Sequence, residues 1–377
     1  MFNPLKAASN FAKGVGDLNA MRKQAAIIQA ALEKEEFDVK EGNVDQKIPA
    51  GRGDEAYGTV QNHGAVTLMN VVVTGSLSYD YIMDFAGRFR DRIMPDKLHV
   101  ISLGFLVDTL TKQFGGTAVN QAYTLKLLGI DPQVVTAAGN DFAEYKKFLK
   151  KHGISVKHIK IFKNEPCSSY HVVTDRDDNQ IGAFYIGASR YNVRLTIPKT
   201  ADFAIIGPTD PKAMVRYVRA CRGKKYLYDP AFQIDNFTAD ELREGITGAH
   251  ILIGNDYEIA LIEQKLKISH EKLIVMVPIL ITTLGAKGSL IETRKEAIGI
   301  KPAKPKNVSD PTGAGDAYRA GFVAGYVRGY DLQISGQMGS VAAVYTVEKY
   351  GTQTHHFTRA QFTKRYKENY GTVLPLV

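Results

Sequence analysis

Apolar residues follow two rhythms along the chain. From residue 71 onward, short β-branched runs alternate with stretches whose apolar positions step by three and four. The runs lie at 71–75, 133–138, 203–206, 225–228, 251–253 and 279–283, and helical spacing occupies 118–128 and 211–221, among other stretches. Such alternation predicts an α/β domain, a three-layer sandwich whose mostly parallel sheet carries helices on both faces. The most apolar stretch, 273–284, contains Pro278 and two threonines and is too short to span a bilayer. It is predicted as a buried strand. Segments 80–112 and 165–191 break the rhythm with period-two alternation and turn clusters such as DRDDN at 175–179. They predict a small antiparallel β lid over one sheet edge.

Before residue 69 the pattern differs. Asp17 is placed to cap a helix reaching about residue 36, on which Leu18, Met21, Ala25, Ile28 and Leu32 form one apolar stripe. The stretch 43–64 is polar, contains glycines and has no sustained period, which predicts a linker. The expected organisation is a helical segment over 1–45, a linker over 46–68 and the α/β domain over 69–370.

Composition narrows the setting. The chain has 377 residues, 44% hydrophobic and 23% charged, enough to bury a core without staples. Cys167 and Cys221 are too few for a disulfide framework and lack metal-ligand spacing. With no secretory, lipidation or membrane-spanning pattern, the expected location is the cytoplasm, and no membrane partner is expected. A net charge of +9 suits an anionic partner: a nucleotide, a nucleic acid or an acidic surface. The basic residues are dispersed, so charge alone selects none of these.

The chemistry concentrates in DPTGAGD at 310–316, which the amphipathic stretch AYRAGFVAGYVRGY follows. Gly313 and Gly315 free the local backbone amides to turn toward one point, and the positive end of the following helix faces the same point. Gly313, Ala314 and Gly315 thus form a candidate anion hole. A carboxylate there is out of place for anion binding alone. Asp316 makes sense as a general base that takes a proton from an attacking hydroxyl while the turn stabilises a transferring phosphoryl group. The competing reading is a plain helix cap after a glycine turn.

The run DPTGAGDAYRAGF resembles the C-terminal signature of the ribokinase-like (PfkB) carbohydrate and nucleoside kinases. Three other pieces resemble that family's motifs, in the family's order: GGTAVN at 115–120, NDYE at 255–258 and TLGAKG at 283–288. The resemblance covers roughly residues 70–370 and implies a ribokinase-like fold and transfer of phosphate from ATP to an alcohol. It implies that Gly115, Gly116 and Asn120 hold the sugar, with Ser76 nearby and Asp80 accepting hydrogen bonds from adjacent hydroxyls. Asn255, Thr283, Gly285 and Gly288 would hold ATP. Asn255 and Glu258, one helical turn apart, would orient the water shell of Mg²⁺, which keeps much of its hydration. Family members often respond to K⁺, for which residues 310–313 and 351–353 are the expected place.

The contexts TGSLSYDYIMDFAGRF, AAGNDFAEY, NDYE, YDPAFQ and VEKYGTQ look like bacterial adenosine kinases of this family. That implies 5′-phosphorylation of adenosine to AMP, a reaction of purine salvage, with Tyr170 and Gln233 on the substrate side. Several positions depart from the pattern. Gly104 stands where serine is usual, Ser189 where methionine is, Phe232 where the first glutamine of a pair is, and Asn236 where arginine is. Tyr170 replaces phenylalanine and keeps a stacking ring. Losing a hydroxyl at Gly104 changes hydrogen-bond discrimination, so the base stays open, and a sugar kinase for ribose or a fructose phosphate is the alternative within the fold. A second copy docking through the lid is the expected protein partner. MFNPLKA, the helix after it and EGNV resemble the start of small bacterial nucleoid-associated DNA-binding proteins. A nucleic-acid role for residues 1–65 is therefore the alternative of another class.

Overall fold

The computed structural model describes residues 69–177 and 179–374. The helical segment and linker expected before residue 69 lie outside the described residues. The chain enters with β1 (Val71–Thr74), then β2 (Ser78–Asp84) and β3 (Thr109–Gly115), followed by α1 (Thr117–Leu127). Next come β4 (Gln133–Ala138), α2 (Ala143–Lys151), β5 (Ile159–Ile161), β6 (Ser168–Thr174) and β7 (Gln180–Tyr185). The middle of the chain supplies β8 (Phe203–Ile206), α3 (Pro211–Ala220), β9 (Lys225–Tyr228), α4 (Ala239–Gly248), β10 (Ile251–Asn255) and α5 (Asp256–Leu266). It closes with α6 (His270–Met276), β11 (Ile279–Thr283), β12 (Ser289–Glu292), β13 (Ala297–Ile300), α7 (Ala314–Tyr326), α8 (Leu332–Val347) and α9 (Arg359–Tyr370).

The central sheet runs β13-β12-β11-β10-β9-β8-β1-β4-β5. Every pairing from β11 to β5 is parallel, and only β12 runs against the rest, pairing antiparallel with β11 and β13. Period two explains why its strands are apolar throughout. Val71 and Val73 enter one core with Ile205, Leu227, Ile253 and Ile281, while Val72 enters the other with Ala204, Tyr228, Leu252 and Leu280. Helices close both faces: Val119, Phe322, Val341 and Phe362 on the first, Met214, Leu242, Ile262 and Leu273 on the second. Each such side chain contributes roughly 1.5–3 kcal/mol on full burial. Among the described residues no helix is long and apolar enough to cross a membrane.

The stretch 273–284 is not one strand. Ser269 caps α6 by accepting from the Lys272 amide, and α6 carries Leu273 to Met276. Pro278 then disfavours helix at Val277, which is extended, and β11 begins at Ile279. Apolarity alone could not mark that break, because both elements are buried.

The lid is a separate four-stranded sheet, β3-β2-β6-β7. Its outer pairs are antiparallel, as expected, but the central pair β2–β6 is parallel. The reason is topological. β2 follows β1 and β6 follows β5, two strands that run the same way in the main sheet, so both insertions enter the lid in the same direction.

Candidate active site

Two helix starts meet under the lid. β3 ends at Gly115, and α1 begins one residue later, after Gly116 at φ 98°. At Gly115 a Cβ would lie 2.1 Å from Asp80 Oδ2, so only glycine leaves room for that carboxylate. The side chain of Ser76 does the capping that Gly116 cannot: its Oγ accepts from the Thr117 amide at 3.1 Å. α7 begins after Gly313, left-handed at φ 79°, which places Asp316 in its first turn.

Asp316 is joined to α1 by two amides. Asn120 Nδ2 donates to Oδ2 at 2.9 Å and Gln121 Nε2 donates to Oδ1 at 3.2 Å. Asn120 is fixed in turn, because its Oδ1 accepts from Thr352 Oγ1 and Gln353 Nε2, both at 2.8 Å. Gln353 Nε2 also donates to Tyr145 Oη at 2.6 Å, and that hydroxyl donates to the Gly115 carbonyl at 2.8 Å. A continuous network thus runs from the Asp316 carboxylate to the glycine pair. Gln121 Oε1 and Gln353 Oε1 are buried acceptors with no hydrogen-bond partner among the described residues.

Burial pushes Asp316 above the usual carboxylate range, opposed by the nearby Arg319 charge and the two amides. Burial likewise raises Asp80 to about 6; the Ser78 hydroxyl, 3.1 Å from its Oδ1, opposes this, and the charges of Asp316 and Asp310 add to it. Arg319 lies one turn along α7, with Nη2 2.8 Å from Asp229 Oδ1 and Nε 2.6 Å from Oδ2. Asp310 stabilises its own turn, accepting from the Thr312 amide at 2.9 Å and the Gly351 amide at 3.1 Å.

A cleft of about 410 Å³ opens beside this network, lined from the lid by Asp80, Gln113 and Tyr170 and from the body by Asp310, Thr312 and Thr352. Tyr170 on β6 pairs in register with Asp80 on β2. Of the expected site residues, Asp80 and Tyr170 line the cleft, while Ser76, Gly115, Gly116, Asn120 and Asp316 belong to the two helix starts and the network beside it.

The expected nucleotide residues sit at the carboxyl ends of two adjacent strands, where Asn255 pairs in register with Thr283. Asn255 Oδ1 accepts from the Glu258 amide, and Glu258 Oε2 accepts from the Asn255 amide, both at 2.8 Å, forming a capping box. Thr283 Oγ1 donates to the Gly254 carbonyl at 3.4 Å, and Gly285 has φ 59° with open space around it. Gly288 is there for packing, since a Cβ would lie 2.0 Å from the Ile300 carbonyl oxygen. No group of three metal-ligating side chains occurs among the described residues. The half-buried Glu258, as a single carboxylate, fits a hydrated Mg²⁺ held largely by phosphate oxygens rather than by a protein cage.

Other positions are placed differently from the motif pattern. Gln233 Oε1 accepts from Asn236 Nδ2 at 2.8 Å. Ser189 is buried against Ser168, hydroxyl to hydroxyl at 2.6 Å. A Cβ at Gly104 would meet no atom of the described residues within 4 Å. Phe232 is 57% exposed and faces Phe184 of the lid, their rings 6.1 Å apart. Gln121, Tyr145, Asp229 and Arg319 escaped sequence reasoning. Arg319 had a signal, three residues past Asp316 and so on nearly the same helix face; the others had none in local spacing.

Residues 70–358 match the family model described as pfkB family carbohydrate kinase. The chain belongs to the pfkB family. A nucleoside kinase of Methanothermobacter thermautotrophicus is 31% identical over 316 residues, covering 81% of this pfkB-family chain and 98% of the relative. The nucleoside kinase of Burkholderia thailandensis, solved with inosine, has TM-score 0.75 and 32% identity over 80% of this chain and 99% of that chain. A ribokinase of Bacillus subtilis is 26% identical over 296 residues, 76% of this chain and 95% of its own. This pfkB-family chain is therefore an ATP-using phosphotransferase with an alcohol acceptor, of the nucleoside or sugar kinase kind, on a ribokinase-like fold.

Proposed function

We propose that this kinase moves the γ-phosphate of ATP to the 5′-hydroxyl of a purine nucleoside, adenosine first, with Asp316 as the base. The observation that carries the reading is the Asp316 carboxylate, buried in the first turn of α7 with an α1 amide on each oxygen. Asp80, on the lid side of the cleft, accepts hydrogen bonds from neighbouring sugar hydroxyls. That leaves the 5′-hydroxyl at Asp316, which takes its proton as the oxygen attacks phosphorus. The amides of Gly313 and Gly315, at the positive end of α7, stabilise the charge that develops, whereas the Ala314 amide, expected to join them, donates instead to the Pro311 carbonyl at 3.1 Å. Asn255, Thr283 and Gly285 hold ATP, and Glu258 orients the waters of Mg²⁺. When bound, Mg²⁺ neutralises phosphate charge. Phosphoryl transfer depends mainly on such positioning and electrostatics.

A purine is supported by the nucleoside kinase relatives, one of them solved with inosine, and by the Tyr170 ring on the cleft wall. The ribokinase relative keeps a free sugar as the second reading. The test is ADP release from ATP and Mg²⁺ with adenosine, inosine, guanosine, cytidine, ribose or fructose 6-phosphate. Adenosine or inosine should give the highest kcat/KM, and ribose leading would replace the nucleoside reading. Asp316→Asn should lose roughly 10²–10⁴ in kcat while still binding ATP. Near-full activity in that variant would remove Asp316 from its role.

A further inference from the structure

Arg319 is a charged side chain buried within reach of the chemistry and absent from the reaction described above. It leaves the outer part of the first turns of α7 and folds back toward the helix start, as side chains on a helix do. Its Nη2 donates to Asp229 Oδ1 at 2.8 Å, and Nε lies 2.6 Å from Oδ2, a close ion pair in which Nε makes no directed hydrogen bond. Nη1 hydrogen-bonds to no group among the described residues. It lies under the anion turn, 2.8 Å from where a Cβ on Gly315 would sit. Gly315 therefore serves twice: it exposes the turn's amide, and it leaves space for this cation.

Burial works against the guanidinium's charge, and Asp229 outweighs it. The same charge acts on Asp316 and on Glu258. Removing an ion pair from water is costly, and an apolar pair often fills such a position with equal or better stability. A buried cation that lies against the anion turn, and whose charge acts on both the base and the acidic residue of the nucleotide side, is better explained by function than by stability.

We propose that Arg319 is a positioning residue of the phosphoryl transfer, a cation that Asp229 clamps beneath the Gly315 turn to keep Asp316 charged and in place. The inference rests on the assignment of Asp316 as base. The groups facing Asp316 are accounted for: neutral amides of Asn120 and Gln121 from α1, Arg319 from its own helix, and the carboxylates of Asp229 after β9 and Asp80 on the lid. Arg319 is the one cation in that set. Without it three carboxylates share a buried region with no positive charge, so Asp316 takes up a proton at higher pH and stops acting as a base.

The test uses the full chain and compares pH–rate profiles for wild type, Arg319→Gln, Arg319→Lys and the paired Arg319→Gln/Asp229→Asn variant, with KM for both substrates and a thermal melt. Arg319→Gln should move the acid limb of kcat upward by at least one pH unit, so that its deficit at pH 6 is tenfold or more beyond its deficit at pH 9. Both KM values should stay within about threefold. Arg319→Lys keeps the charge and should return the acid limb toward wild type, with a lower plateau because lysine cannot reproduce the guanidinium's contacts with Asp229. Should Arg319→Gln fail to fold, the paired variant, which removes one charge of each sign and leaves neither without its partner, should still lose at least tenfold in plateau kcat, and a wild-type plateau would overturn the proposal. An acid limb of Arg319→Gln that coincides with wild type, or a loss confined to KM, would overturn the proposal. A wild-type chain inert toward every nucleoside and sugar would instead overturn the kinase chemistry beneath it, so the two failures are distinguishable.

Discussion

Asp80 lines the cleft and Asp316 lies in the network beside it; burial raises both, but their charges are held differently. Asp316 has a cation and two amides; Asp80 has one serine hydroxyl and two like charges, which leaves it at about 6. A carboxylate that binds sugar hydroxyls as a double acceptor loses part of that capacity when it gains a proton. The nucleoside KM should therefore climb as pH falls below about 6. Asp80→Asn should show a raised KM with that acid dependence removed, and a wild-type KM flat from pH 5 to 8 would contradict the role. These carboxylates were legible in sequence because each sits in or beside a compact motif. The groups that hold them were not. Arg319 meets Asp229 across 90 positions and Gln353 meets Asn120 across 233. Ser189, noted for replacing a methionine, is instead half of a buried hydroxyl pair.

Among the elements, the β-branched runs marked the parallel strands well, since a strand buried on both faces has no polar side to blur it. Strand direction in the lid left no such mark, because period-two alternation is the same for parallel and antiparallel neighbours. The α6–β11 break was readable only through Ser269 and Pro278. That region also contains His270, which joins α6 to its neighbours: Nδ1 lies 2.6 Å from Glu263 on α5 and Nε2 lies 2.9 Å from Glu292 on β12. Burial disfavours its charge, but hydrogen bonds to both carboxylates outweigh that and raise it to about 10. A histidine raised in the folded state contributes stability in full below its unfolded value near 6.5, and that contribution drains away as pH climbs through the folded value. The gap in urea midpoint between wild type and His270→Ala should accordingly be widest near pH 6 and close by about pH 10. A gap that stays constant over that span would mean the histidine acts by packing alone.

At the scale of the molecule, body and lid meet at several aromatic contacts, and Phe184 with Phe232 is one of them. Aromatic pairs contribute roughly 0.5–1.5 kcal/mol beyond buried area. If closure brings them together over the substrate, Phe184→Ala should raise the nucleoside KM about two- to tenfold and increase ATP hydrolysis in the absence of nucleoside, with an unchanged melting temperature. An unaltered KM and hydrolysis rate would show the pair to be incidental.

A single residue, Gly116, joins lid strand β3 to the helix that carries Asn120 and Gln121. The lid and the grip on Asp316 are thus two arms of one lever, with a glycine for its fulcrum. Any tilt of the outer arm that the glycine does not absorb is delivered to the amides on the carboxylate. Such coupling would make an unladen, open enzyme a poor one: the arm that admits the alcohol is the same arm that steadies the proton's destination, so readiness for transfer arrives together with something to receive the phosphate.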